Sequence, residues 1–512
     1  ILFITSSQAK FNYADDRSKT ALGYAEAGYN EYLWHLNDDV NFYSTEKHKK
    51  MMNTPIAFQD GYYMLEVIKP SDTDRFITIK STGWTKDSPE RKRTIVAKIR
   101  KKQFVHYVYV TNSSGNTWWT SGDEVHGPYH TNGVLQIEKR PKFYDVVSYK
   151  MGIKKGSGYN PDFKVKEPKQ PELLKDGLEF PGSNSKLEKW AEKDNMVFYG
   201  RTCIYLDGDK VKIRNGNARQ EDIQTIPISN IRNKVIYVDN APNWSDSKFN
   251  LGAGNIFISG KLKGQLTIAA ANNIYITATD PTNWYEEYDE SRKGEDLPIT
   301  DLKGENELYG IIYANTKFNE NKPKGTMSYE DKEKGIWTRD AKGKDMLGLV
   351  AQKDILILHY GWPRYMEGRE STSNRPDWHY KWKRGYWWGN YYWYKQYVDD
   401  KYYDVAPPNI TIHAALFAVK GGFGYESCTD GKRKGNIIVW GSAVQNQMMA
   451  TENFDKTAGY SLICAHDPRM FYDYPPHILE PTNVGWEVHD WREITDYVKQ
   501  KEMIPIESTI FQ

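Results

Sequence analysis

The stretch from Gly254 to Thr277, GNIFISGKLKGQLTIAAANNIYIT, decides the fold. Within it three runs, Ile256-Phe-Ile-Ser, Leu266-Thr-Ile-Ala and Ile274-Tyr-Ile-Thr, begin ten and then eight residues apart. Each carries two apolar residues separated by one other, so the two point to the same side of a strand. The steps are short enough to take the chain about once around a three-sided coil. Copies of the unit recur as Gly435-Asn-Ile-Ile-Val-Trp-Gly441, Lys353-Asp-Ile-Leu-Ile-Leu-His359, Pro408-Asn-Ile-Thr-Ile-His-Ala414 and Asn233-Lys-Val-Ile-Tyr-Val-Asp239. The leading Asn, Asp or Gly is expected to turn a corner in a left-handed conformation, and the apolar pair to stack on the coils above and below. A Greek-key sandwich competes, but it has no need of Asn-Ile-x-Ile copies. The expected class is therefore mainly β: an amino-terminal helix, a small sheet, then a right-handed parallel β-helix with long loop insertions.

Working outward, the solenoid body is expected over 121–480, interrupted at 280–304, 317–344 and 361–404. Insertions between coils map to loops on one face, which is often the binding face. The last insertion concentrates Trp362, Trp378, Trp382, Trp387, Trp388 and Trp393 among Tyr, Arg and Lys. That makeup suits a glycan platform or a subunit contact, and equally a β-hairpin whose aromatics pair across strands. Before the body, residues 61–112 alternate with period two, with turns expected at Pro70, Ser71, Gly83 and Pro89. The basic run Arg91 to Lys102 reads there as a strand with one solvated face, as does Phe104 to Val110 as a further strand. Residues 481–512 read as a carboxy-terminal extension.

Composition narrows the function. The 69 Lys and Arg nearly balance the 67 Asp and Glu, so no global field favours nucleic acid. Only 39% of the 512 residues are hydrophobic, yet 14% are aromatic, which fits a folded chain with a polar surface. Cys203, Cys428 and Cys464 have no metal-ligand spacing. Asp354, His359 and His413 sit on strand-like runs as isolated polar residues rather than a catalytic set. Asp207-Gly-Asp209 reads as a hairpin turn. His126 and His130 are separated by Gly127-Pro128, which forbids the helix that would bring them onto one metal. No phosphate loop, dinucleotide fingerprint or nucleophile elbow occurs. The expectation is a protein that is not an enzyme, with no cofactor and no metal.

At the amino terminus, residues 15–36 (DDRSKTALGYAEAGYNEYLWHL) form an amphipathic pattern with Leu22, Ala25, Tyr29, Leu33 and Leu36 on one stripe. Within it Ala25-Glu26-Ala27-Gly28, following Asp16-Arg17, resembles the end of the PilX-type amino-terminal segment of type IV pilin-like proteins. Ser121-Gly-Asp-Glu-Val-His-Gly-Pro-Tyr-His-Thr-Asn-Gly133 and His466-Asp-Pro-Arg-Met470 resemble two further elements of pilin-like surface proteins, and the three fall in order along the chain. The resemblance implies that 1–38 is an assembly helix, with Leu22, Ala25, Glu26, Gly28, Tyr29, Leu33 and Leu36 as its packing residues. It implies an extracellular location on a cell surface or pilus, and a homo-oligomer or filament as partner. Membrane contact is expected only through an upstream apolar segment absent from this sequence. The alternatives are a carbohydrate-binding adhesin using the aromatic loop, and a solenoid enzyme acting on polysaccharide.

Overall fold

The computed structural model describes residues 2–70, 76–165, 170–175, 177–216, 218, 220–283, 309–316, 343–359, 378–387, 390–399, 405–429, 431–471, 473–483 and 485–494; over 2–14, 220, 378–387 and 390–399 it describes the backbone alone. The protein is mainly β, with a long amino-terminal helix and a large parallel sheet. The chain divides into two compact units, one from Ile1–Lys102 with Asn483–Gln512, the other from Gln103–Thr482.

In the first unit the helix runs Leu2–Asp38, longer at its amino end than the 15–36 read from the sequence. Among the described residues the unit's sheet has five strands in the order Ile56–Phe58, Gly61–Ile68, Ile77–Thr85, Ser88–Lys101 and Trp486–Ile494, all antiparallel. Tyr29, Tyr32 and Leu36 of the helix bury against Tyr63, Leu65, Ile77, Ile79 and Ile99 of the sheet. The approach is close enough to require glycines. A Cβ on Gly28 would meet the Tyr63 ring and Ser81 Oγ, and one on Gly83 would run into the Ala21 carbonyl and the Ala25 amide. Gly83 is therefore a strand residue beneath the helix rather than the expected turn, and Pro89 likewise lies in a strand. The basic run forms the expected strand, and its Arg93 and Arg100 pair across to Glu493 and Glu487. Residues 486–494 are thus the fifth strand of this sheet.

The second unit holds the large sheet. The three runs of 254–277 and the four further copies all lie in strands of this sheet: Val235–Asp239, Ile256–Leu262, Gln265–Ala270, Ile274–Ile276, Ile355–Ile357, Ile410–Ala418 and Arg433–Gln447. Their partners form continuous parallel ladders. One passes through Phe198, Val238, Ala270, Ala351, Ala418, Gln445, Thr111, Thr131, Tyr149 and Leu173. A second runs Leu206, Gly260, Ile311, Ile412, Val439, Cys464, Val125, Phe143 and Phe163. A third joins Ile204, Ile258, Ile276, Ile357 and Tyr425. The apolar pairs of the repeat share one buried cluster with their ladder neighbours. Phe104–His106 is a short 3-10 turn, and the strand expected there is Tyr109–Ser113.

The ladders reveal an order that differs from chain order. The strands of 109–173 stack beyond those of 433–466, so the start of the unit is laid on its end. The chain must then return along the whole column before 197 can begin the other end. Residues 174–196 make that return. Leu174 bonds Tyr149, Asn132 brackets the Leu178 backbone, Phe180 packs on Phe104 and Phe417, and Asn184 donates to the Ala270 carbonyl. The helix Ser185–Glu192 then lies on Val235–Asp239.

The polar residue heading each repeat copy does not turn corners with positive φ as expected; among the copies Lys234, Gly260 and Gly441 do that. The Asx side chains instead bond along the stack. Asn255 Oδ1 accepts from the Asn273 amide (3.0 Å), Asn273 Oδ1 from the Asp354 amide (3.1 Å), and Asp354 Oδ1 from the Gly422 amide (2.8 Å). Asn409 Oδ1 does the same for Asn436 (2.8 Å). Each bond satisfies a backbone donor that the strand leaves behind at its end.

Candidate functional site

The assembly-helix residues divide by face. Ala25, Gly28, Tyr29 and Leu36 are buried on the unit's own sheet, while Leu22 and Leu33 are half-buried at its flank. Glu26 is exposed. The open face carries Gly23, whose added Cβ would meet nothing within 4 Å, together with Asn30 and Trp34. Trp34 is 61% exposed, against a buried Tyr32 two residues away. Sequence periodicity found the buried stripe but not the aromatic on the opposite side.

Of the aromatic insertion, Trp378–Trp387 and Asn390–Asp399 form an antiparallel hairpin. Its register pairs Trp378 with Asp399, Trp382 with Lys395, Arg384 with Trp393, and Trp387 with Asn390. Trp362 and Trp388 lie outside the described residues, as do most of 280–304 and 317–344.

The polar residues considered for catalysis each have a separate structural tie. Asp354 caps the Gly422 amide, His359 Nδ1 lies 3.1 Å from the Glu426 carbonyl, and His413 Nδ1 accepts from the Tyr313 amide at 3.0 Å. Burial, helped by the Arg469 charge, pulls the His413 imidazole down to about 3. Asp207-Gly208-Asp209 is the expected turn between the antiparallel strands Thr202–Gly208 and Lys210–Asn215, with Gly208 at φ 64°. His126 bonds Glu124 at 3.0 Å and stacks on Tyr144, whereas His130 meets Ser148 and Asn132. Burial opposes ionisation of Glu124, but hydrogen bonds from His126 and Lys142 hold its carboxyl below the usual range. The stretches 121–133 and 466–470 meet: a Cβ on Gly127 would press on His466, beside the pairing of Ala465 with His126.

Among the described residues a concave site lies where the end of the unit meets its start. Two ladders run unbroken through this seam, but the third stops at Tyr425. Beyond it residues 448–454 and 116–123 face each other without strand pairing and enclose a cleft. Trp118, Thr120, Asp123, Glu138, Glu452 and Phe454 line it. Asp123 accepts from the Thr120 amide at 2.9 Å, and burial pushes its carboxyl up to about 7. Glu452 is held by Arg433 at 2.5 Å and Lys456 at 2.7 Å. Glu138 is buried, and Lys139 Nζ stands 4.0 Å from its Oε1. The Thr120 hydroxyl has no hydrogen-bond partner among the described residues. Phe454 stands 72% exposed at the rim, with Lys139 Nζ 5.6 Å from its ring centre. The sequence pattern singles out none of Trp118, Thr120, Glu138, Glu452 and Phe454, and it marks Asp123 only as part of the 121–133 stretch. No local spacing links segments so far apart, although the Trp118-Trp119 pair beside Gly122-Asp123 was a usable signal.

No protein-family model, curated protein or solved structure matches the chain.

Proposed function

We propose that this chain is a non-catalytic structural subunit of an extracellular filament or surface assembly, of the type IV pilin-like kind, whose body is a right-handed parallel β-helix. The observation that carries this reading is the two-sided amino-terminal helix. One face is committed to the unit's own sheet, while the other leaves Trp34 open, and an exposed tryptophan on a rigid helix is a strong anchor for a protein contact. The body supports it. Ladders that keep register over ten strands suit a rigid spacer of about 43 Å, at the usual strand separation. Parallel crossovers are almost always right-handed, which gives the coil its hand.

Electron microscopy of the purified native protein tests this reading. Regular filaments are expected, and Trp34→Glu is expected to abolish them while thermal unfolding stays unchanged. Discrete monomers at high concentration, or filaments indifferent to Trp34→Glu, would overturn it. Removing the whole helix is the poorer test, because it strips the cover from the sheet beneath.

A further inference from the structure

We propose that the seam cleft binds an uncharged saccharide. The site belongs to the second unit alone and does not rest on the filament reading.

Two features converge on that ligand class. Trp118 and Phe454 put aromatic surface on the cleft, suited to the apolar C–H face of a pyranose ring. A sugar also needs a polar group for its hydroxyl rim, and Glu138 supplies one. The Glu138 carboxylate, on a residue 6% exposed, has its ion-pair neighbour at the long distance of 4.0 Å. Its oxygens are thus available to accept from sugar hydroxyls.

The charged groups disfavour an ionic ligand. Burial keeps much of Asp123 uncharged near neutral pH, Glu452 is paired with Arg433 and Lys456, and the Glu138 carboxylate repels an anion. A hard cation would require several free carboxylate oxygens. Here Asp123 is engaged with the Thr120 and Leu462 amides, and Glu452 with its two basic partners. The two committed acids shape the cleft, leaving Glu138 to read the ligand. A few placed polar groups beside apolar walls are the usual composition of a small-molecule site.

The test is calorimetric titration of the full chain with cellohexaose, maltohexaose, mannohexaose and chitohexaose, and with a galacturonate oligomer as the charged comparison. At least one neutral oligosaccharide is expected to bind with one-to-one stoichiometry. Glu138→Gln and Phe454→Ala should each weaken it about tenfold or more, the scale of one lost charged hydrogen bond or stacking contact. Both variants should keep the parent's circular dichroism. Phe454 is exposed, so its variant remains informative if Glu138→Gln fails to fold. Three results would overturn the proposal: no binding of any neutral oligosaccharide, tighter binding of galacturonate, or binding unchanged in the variants. The last result, if Trp387→Ala then removed the binding, would place the saccharide on the 378–399 hairpin instead.

Discussion

Beneath the long helix, a methyl group added at Gly83 would collide with the Ala21 carbonyl and the Ala25 amide, both main-chain atoms that cannot rotate away. Gly83→Ala should therefore destabilise the first unit by about 1–3 kcal/mol, the usual cost of overpacking. Gly23 lies on the open side of the same helix with nothing near it. Gly23→Ala should stabilise by about 0.5–1 kcal/mol through helix propensity alone. Urea denaturation of the two variants checks both signs. Asn273→Ala removes the acceptor for the Asp354 amide and should cost about 1–2 kcal/mol. Asp123 governs a pH effect. Its folded carboxyl titrates near 7 against an ordinary 3.8, so between those values the folded state holds a proton that the unfolded chain has released. Its contribution is most favourable below about 4 and is lost as pH rises through 7. Asp123→Asn should abolish that loss, so urea midpoints of the parent and variant should diverge, in the variant's favour, as pH is raised across this window.

At the scale of elements, the return segment 174–196 is held by few side chains, so single changes should be felt. Phe180 is half-buried between Phe104 and Phe417, and Phe180→Ala should cost about 2 kcal/mol, read as a lowered thermal midpoint. The repeat copies were legible because an apolar pair at period two needs no distant information. The same local reading misplaced Gly83, since a glycine demanded by close packing and one demanded by a turn look identical in sequence. It found the stripe of Tyr29 and Leu36 but not what covers it. The strand Trp486–Ile494 was hidden by its charges, because Glu487 and Glu493 are there to meet Arg100 and Arg93 on the neighbouring strand. The cleft was illegible for a related reason. Trp118 and Phe454 come together only through the register of strands at opposite ends of the unit, and periodicity carries no record of register between distant segments.

Across the whole molecule, the seam joins Tyr109 to Ala443, more than three hundred residues apart in sequence. Contacts this distant form late, because the intervening chain must be ordered first. Gln445 sits on the seam, fully buried, accepting from the Phe423 amide at 2.7 Å and donating to the Tyr109 hydroxyl. Gln445→Ala should raise the unfolding rate and leave the refolding rate nearly unchanged in stopped-flow denaturant jumps. A comparable slowing of refolding would instead place the seam early on the pathway. The first unit's sheet has a related property. Lys101 and Trp486 are register partners on adjacent antiparallel strands, and everything from Gln103 to Thr482 hangs between them. In genetic terms the large unit occupies the position of a hairpin turn, a cassette with both splice points at one spot. Recombination could exchange that cargo for another, or for a short turn, while the helix and its five strands stay as the common chassis.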